Sequence, residues 1–422
     1  MNERLLQYLW NYKIFTGFDF KDTEGNAIEI IDFGRWNFDS GPDFLFGKIK
    51  YKNVVLAGNI ELHLKSSDYI FHRHSGNPEF ENLILHAVFY HDTDIAALQQ
   101  HNIPTLELKN HIDTDVLQKY ESLLLHKEFI PCESIFSTDK IPFGFTEETL
   151  LKKLDEKAIE IENSLKTHKN NYEAVLFHQL AYAFGLKVNA EIFRQMAESI
   201  DFSVLNKIRQ NLTQLEALFY GLSGWLDNPE DEQMLLWKRE FDFLKAKYQL
   251  PGLTFTPKFS KLRPPNFPTV RLSQFAALYH QQQHLFSVLM NADDVAALAA
   301  VFGQVKASEY WSRRFNFGKI SNVENQKIMT SDFIRLVLIN AVLPLKYAYH
   351  KNSDEDIHDK ILGFYRDLLP EKNSVTDRWK LLNVPINNAL ESQAFLYHYK
   401  NFCQYKRCLH CGIGLRLLKE TR

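Results

Sequence analysis

The chain has 422 residues and a formal net charge of −3, with 45% hydrophobic and 24% charged residues. This length exceeds what one hydrophobic core usually spans, so we expect at least two domains, and the composition excludes disordered and fibrous proteins. The start, MNERLLQYLWNYKIF, lacks the apolar run of a signal peptide, and no later window is long and apolar enough to span a membrane. We therefore expect a cytoplasmic protein with no membrane partner.

The N-terminal third is predicted to be an α/β domain over residues 1–135. Residues 3–14 have the apolar spacing of a helix. Runs rich in β-branched and aromatic residues predict five strands, with a helix or turn between 66 and 82; the strands are expected near 27–33, 43–51, 53–65, 83–91 and 104–109.

After Pro131 the pattern becomes helical. Segments such as EETLLKKLDEKAIEIENSL and NYEAVLFHQLAYAFGL show apolar residues three and four apart, bounded by Gly, Asn and Pro. We predict a linker within 131–145, a mostly α-helical domain over 136–400 and a cysteine-rich tail over 401–422. No repeat of fixed period is present, so a solenoid is not supported.

The strand predicted near 53–65 carries several polar residues on one face. Asn59, Glu61, His63 and Lys65 alternate with apolar residues, which by itself is typical of a sheet with a solvated outer face. However, Asp43 begins the preceding strand, and the hairpin turn predicted at KYKN would bring it beside Glu61. Two carboxylates and a main-chain carbonyl suffice for Mg²⁺ or Mn²⁺, and His63 or Lys65 would activate water or stabilise the transition state.

These residues resemble the PD-(D/E)XK nuclease superfamily, whose core runs helix, three-strand meander, helix, strand. Pro42-Asp43 and Glu61-Leu62-His63 fill the places of the family's Asp and Glu-x-Lys, with His63 at the lysine position and Lys65 displaced by two. The resemblance covers about the first 110 residues. It implies a mixed, restriction-endonuclease-like sheet and a divalent-metal nuclease with Asp43 and Glu61 as metal ligands.

Two alternatives lie in the same region. Glu107-Leu108-Lys109 is a literal Glu-x-Lys with Asp92 before it, and ranks second. His72 and His74 flank Arg73 beside the predicted site and are candidates for phosphate contact or general-acid catalysis. With His63 and a carboxylate they would instead suit zinc or manganese, and so a histidine-rich transition-metal hydrolase. His86 and His91 are interpreted as ordinary neutral strand residues.

The cysteines form the most specific metal signature of the chain. Cys403, Cys408 and Cys411 have the spacing C-x4-C-x2-C, and Cys132 is the one other cysteine. Four thiolates would bind Zn²⁺ or an iron–sulfur cluster, and Cys132 would then fasten the tail to the end of the first domain. His398 and His410 are alternative fourth ligands, and three free thiols in a reducing compartment are the alternative to a metal site.

A basic stretch lies in the helical part, since no acidic residue occurs between positions 244 and 292. Prolines keep TPKFSKLRPPNFPTVRL extended, so its cations can meet phosphates while Phe259 and Phe267 stack on bases. The candidate nucleic-acid contacts are Lys258, Lys261, Arg263, Arg271, Arg313 and Arg314. A solvated loop anchored to the core by its aromatic side chains explains the same pattern.

Over its full length, from GPDF and IELH to LRPPNFPTVRL and CLHCGIG, the chain also resembles a bacterial family of unknown function, which supplies no activity. The leading hypothesis is a divalent-metal-dependent nuclease that hydrolyses phosphodiesters of DNA or RNA. The alternatives are a non-enzymatic binding or assembly protein on a degenerate nuclease-like core, and the histidine-rich hydrolase.

Overall fold

The computed structural model describes residues 2–37, 41–71, 82–125, 128–250, 252, 254–353 and 356–419. It divides into two compact units. The first combines residues 1–143 with residues 398–422, and the second is residues 144–397. The C-terminal cysteines therefore belong to the same unit as the N-terminal sheet.

The first unit contains a mixed sheet. Its helices and strands are, in chain order, α1 Glu3–Asn11, β1 Ile28–Asp32, β2 Arg35–Trp36, β3 Phe44–Tyr51, β4 Val54–Lys65, α2 Asp68–Phe71, β5 Leu83–Tyr90, α3 Ala96–Gln100, β6 Thr105–Glu107, α4 Thr114–Leu125 and, at the C-terminal end, α19 Gly412–Lys419. The strand order is β1-β3-β4-β5-β6, and β2 pairs with β3. The pairs β1–β3 and β3–β4 are antiparallel, whereas β4–β5 and β5–β6 are parallel.

The turn between β3 and β4 has the conformation that a two-residue hairpin requires. Lys52 and Asn53 have φ of 47° and 64°, and Tyr51 pairs with Val54 across the turn. Positive φ at both central residues matches the right-handed twist of the strands. The hairpin predicted at KYKN is confirmed.

The described residues of the second unit form helices and one small hairpin, joined by loops. Its elements are α5 Phe145–Thr167, α6 Tyr172–Phe184, α7 Leu186–Glu198, α8 Phe202–Ile208, α9 Leu212–Leu222, α10 Glu232–Tyr248, α11 Pro268–Gln281, α12 Leu285–Asn291, α13 Val295–Gly303, β7 Arg314–Asn316, β8 Lys319–Ile320, α14 Ser331–Val337, α15 Leu343–His350, α16 Ile357–Asp367, α17 Ser374–Leu381 and α18 Ala389–Asn401. The last helix continues into the first unit at His398. The predicted helical part is confirmed.

The core of the second unit surrounds α11. Every residue of α11 from Pro268 to Tyr279 is buried, which is the burial expected of a helix enclosed on all sides. Phe275 stacks on Phe177 and Phe219, with ring centroids 5.3 Å and 5.4 Å apart. Among the described residues, no helix is both long and apolar enough to cross a bilayer.

Candidate functional site

A bulge in β3 brings the two predicted carboxylates together. Near the hairpin turn Gly47 pairs with Gly58, but beyond the bulge Phe44 pairs with Ile60, so the register shifts by one residue. Phe46 lies in the bulge with φ of 62°. Because a shift of one residue exchanges the faces of a strand, the bulge places Asp43 opposite Glu61 and not opposite Leu62.

Hydrogen bonds hold the Asp43–Glu61 pair in place. The Asp43 amide donates to Glu61 Oε2 at 3.1 Å, and the Leu62 amide donates to Asp43 Oδ2 at 2.9 Å. From α1, Gln7 Nε2 donates to Asp43 Oδ1 at 2.7 Å. The two acidic groups therefore converge, as predicted, and α1 contributes a contact that the sequence did not indicate.

The environment of the pair disfavours two negative charges. Burial is the main cause that raises the pKa of both carboxyl groups, opposed at Asp43 by the hydrogen bond from Leu62. The charge of Asp43 raises the pKa of Glu61 further, and Glu3 in α1 acts on both groups in the same direction. Carboxylates so close together need a shared proton or a cation, and a divalent ion fits this requirement.

Two histidines continue the polar row on the same face. His63 Nε2 lies 3.6 Å from Glu61 Oε1, and His63 Nδ1 lies 3.0 Å from His86 Nε2 on β5. The parallel pairing of Glu61 with His86 accounts for this contact, since paired residues of neighbouring strands share a face. The Tyr69 ring packs edge-on against His63. His86 thus belongs to the site, which sequence spacing alone could not reveal.

The polar face of β4 is not solvated where the site lies. Glu61 is 5% exposed, and His63 and His86 are 0% exposed. The expectation of an outer, water-facing strand is therefore wrong at these residues, because α1 and α2 pack against β4.

The other predicted residues of this region are more dispersed. Lys65 is exposed, and its amide donates to Asp68 at 3.0 Å. His72 and His74 lie outside the described residues. In the rival motif, β6 ends at Glu107, so Lys109 falls in the following turn and its ammonium lies over the Tyr90 ring. Asp92 accepts hydrogen bonds from Ser66 and Ser67, and the bond from the Ser67 amide leads in lowering its pKa to about 2.

The four cysteines also come together within the first unit. Cys132, Cys403, Cys408 and Cys411 line one small cavity with His398. All four are free thiols, and each is 8% exposed. His398 Nε2 lies 3.3 Å from Cys411 Sγ. His410, the other alternative ligand, instead stacks on Trp36 and lies 3.1 Å from an Arg4 nitrogen.

The basic segment of the second unit is tied to α7. The buried side chain of Asn189 accepts from the Lys258 amide at 2.7 Å and donates to the Lys258 carbonyl at 2.8 Å. Lys258, Lys261 and Arg263 are exposed. Phe259 packs against Phe267 and Trp225, with ring centroids 5.2 Å and 5.8 Å apart, so it anchors the segment to the unit.

The three other predicted cations differ in exposure. Arg313 is exposed, and the Arg314 guanidinium lies 4.3 Å from the centroid of the Tyr310 ring. Arg271 is 4% exposed, donates to Gln274 and Asn266, and stacks 3.4 Å from the centroid of Phe333. Because it is buried and engaged within the unit, Arg271 is unavailable for phosphate contact.

Within the described part of the chain, no group of three or more His, Cys, Asp or Glu side chains is arranged to hold a single metal ion.

The family model described as "Protein of unknown function (DUF2851)" matches residues 3–374. The chain therefore belongs to this family, and the resemblance to a family of unknown function is confirmed. Comparison with curated proteins and with solved structures gives no match.

Proposed function

We propose that the protein is a divalent-metal-dependent nuclease whose metal ligands are Asp43 and Glu61. The observation that carries the proposal is the bulged register of β3, which turns both carboxylates to one face and joins them through the hydrogen bond from the Asp43 amide to Glu61. Two carboxylates suit Mg²⁺ or Mn²⁺, because Mg²⁺ retains several waters and needs few protein ligands.

The order and direction of the strands support the same proposal. Helix α1 precedes three antiparallel strands, β1, β3 and β4, and β5 then runs parallel to β4. This is the order that the nuclease resemblance implies, with α2 between β4 and β5. A metal ion at the carboxylates would polarise a phosphodiester and lower the pKa of a bound water.

His63 is the residue that we assign to proton transfer. It lies beside Glu61 and its ring is oriented by His86, whereas Lys65 is two residues further along the strand and exposed. A hydrogen-bonded histidine can take a proton from the attacking water and return it to solvent. His72 and His74 stay candidates for phosphate contact in this proposal.

The exposed cations of the second unit are proposed to bind the nucleic-acid backbone. Lys258, Lys261 and Arg263 follow one another on a segment that Asn189 fixes, and each phosphate contact adds to the salt dependence of binding. Replacing all three by Gln should reduce the salt slope of DNA binding by about three. An unchanged slope would remove this segment from the proposal.

A binding or assembly protein is the second candidate, and burial is the observation that favours it. His63 is 0% exposed, and both carboxylate oxygens of Asp43 already accept hydrogen bonds. Glu61 itself is only 5% exposed, which leaves little surface for a substrate to contact. The ligands that the histidine-rich hydrolase would need, His72 and His74, lie outside the described residues.

The test is a nuclease assay with Mg²⁺ or Mn²⁺ on single-stranded DNA, duplex DNA and RNA. Glu61→Gln should lower the rate by about a hundredfold or more, because the metal loses a charged ligand. The matched control is Glu29→Gln, which changes an exposed glutamate of the same sheet. Wild-type protein without metal-dependent cleavage, or equal rates for both variants, would leave the binding protein as the better account.

A further inference from the structure

The cavity lined by the four cysteines is separate from the proposed nuclease chemistry. Cys132 precedes the second unit in sequence and the other three follow it, yet all four cysteines line the same small cavity. We propose that Cys132, Cys403, Cys408 and Cys411 bind an iron–sulfur cluster, one thiolate to each of its ligand positions. This goes beyond the nuclease proposal and does not depend on it.

The arrangement of the four cysteines favours a cluster over a single zinc ion. A zinc ion binds each sulfur at about 2.3 Å, so four thiolates around it lie only about 3.8 Å apart. In the described part of the chain, no three of the candidate side chains are arranged to hold one ion. An iron–sulfur cluster binds thiolates through different iron atoms, and its ligands are therefore more widely spaced.

The size of the space between the cysteines also favours a cluster over zinc. The cavity has room for about one water-sized sphere, with Ile413 and Phe402 among its apolar walls. Sulfurs placed at zinc-binding distance from a common centre would fill that space themselves. The space among the four cysteines is therefore wider than the centre of a tetrahedral zinc site, which favours a cluster.

The backbone donates a hydrogen bond to one of the four sulfurs. The Gly414 amide donates to Cys411 Sγ at 3.3 Å, and Cys411 directly precedes α19, whose N-terminal amides face this sulfur. A side chain at Gly414 would collide with the Cys408 carbonyl, since a Cβ there would lie 2.2 Å from its oxygen. The glycine therefore permits the close wrapping of the backbone around the cavity.

The proposed cluster would fix the tail against the sheet. The loop between Cys408 and Cys411 carries His410, whose ring stacks on Trp36, and Trp36 in turn stacks on Phe44 beside Asp43. Arg4 of α1 contacts the same histidine. The cluster is thus assigned a structural role, in which it holds the tail on α1 and on the start of β3.

The test is metal analysis of the full-length chain purified without oxygen from iron-supplied cells. We expect brown protein with visible absorbance and with iron and acid-labile sulfide in equal amounts, about two or about four of each per chain. Cys403→Ser should lose at least half of the iron, whereas Gln404→Ala, an exposed neighbour in the same tail, should keep it.

Metal analysis of the wild-type protein is enough to contradict the proposal, so the test does not depend on whether a variant folds. Two results together would assign the thiols to zinc. The purified protein would be colourless with one zinc per chain, and the apoprotein would gain no visible absorbance when it is incubated with ferrous iron and sulfide. Protein that holds neither metal under these conditions would identify them as free thiols. Nuclease activity is measured separately, so either outcome leaves the other proposal intact.

Discussion

His86 connects the candidate site to a strand that the sequence had left out of it. Its ring lies 3.0 Å from His63, and both rings are fully buried, so His86 fixes the orientation in which His63 faces Glu61. Neighbours of this kind act through the residue they hold, and their loss usually costs about 10- to 100-fold.

We predict that His86→Phe lowers kcat by about tenfold or more and moves the pH dependence of kcat, because His63 loses its ring partner. His86→Gln, which keeps a hydrogen-bonding group, should recover part of the rate. The control is His91→Gln, since His91 directly follows the same strand but contacts Asp94. A pH profile that is identical in all three variants would contradict the role of His86.

Glu216 provides a pH test in the second unit, away from any proposed metal. It is 2% exposed, and burial raises its pKa to about 7, opposed by hydrogen bonds led by that from Ser273. A carboxyl whose pKa is higher in the folded than in the unfolded protein stabilises the fold fully below about pH 4.3, its unfolded value, and that contribution is lost as the pH rises through 7.

Glu216→Gln should therefore make the unfolding of the second unit less dependent on pH between about 5 and 8, with a gain of up to a few kcal/mol at the alkaline end. Denaturant titrations at several pH values measure the difference. Glu240→Gln, on the neighbouring helix α10, is the control for removing one charge. A parallel pH dependence in wild type and Glu216→Gln would show that Glu216 ionises normally.

At the scale of elements, the sequence predicted strands and helices better than their registers. The five main strands and the Lys52–Asn53 turn were found because alternation and turn residues are local signals. The bulge was missed, since Phe46-Gly47 reads as ordinary strand. The sequence also did not predict that α1 packs over the site at Glu61. The contact of Gln7 with Asp43 joins residues 36 positions apart, and local patterns do not indicate such a contact.

The bulge itself makes a prediction. Deleting both Leu45 and Phe46 removes one residue more than the bulge adds, so with the hairpin register kept Asp43 would lie opposite Ile60 and not opposite Glu61. Metal-dependent activity should then fall to the level of Glu61→Gln. Deleting Phe46 alone is the matched control, because it removes only the extra residue of the bulge and leaves Asp43 opposite Glu61. Equal activity of the double deletion and the control would refute the assigned register.

At the scale of the whole molecule, the first unit is discontinuous in sequence. It combines residues 1–143 with the C-terminal segment 398–422. Helix α19 buries Ile413 and Leu418 at 0% exposure and Leu417 at 5%. Burial of such side chains is worth about 1.5–3 kcal/mol each, and a domain is stable by only about 5–15 kcal/mol. The tail therefore supplies a large share of the stability of the first unit, while the second unit has a core of its own.

Truncation after Asn401 tests this division, since it keeps α18 whole and removes three of the four cysteines together with α19. We expect the first unit to lose cooperative unfolding and protease resistance at 25 °C. The second unit should keep both, and limited proteolysis with mass spectrometry should recover a fragment close to residues 144–397. Removal of only the last three residues, 420–422, is the control and should change neither unit. A truncated chain whose first 143 residues resist protease as well as wild type would show that the N-terminal sheet is stable without the tail, and the structural role assigned to the cysteine cavity would then be wrong.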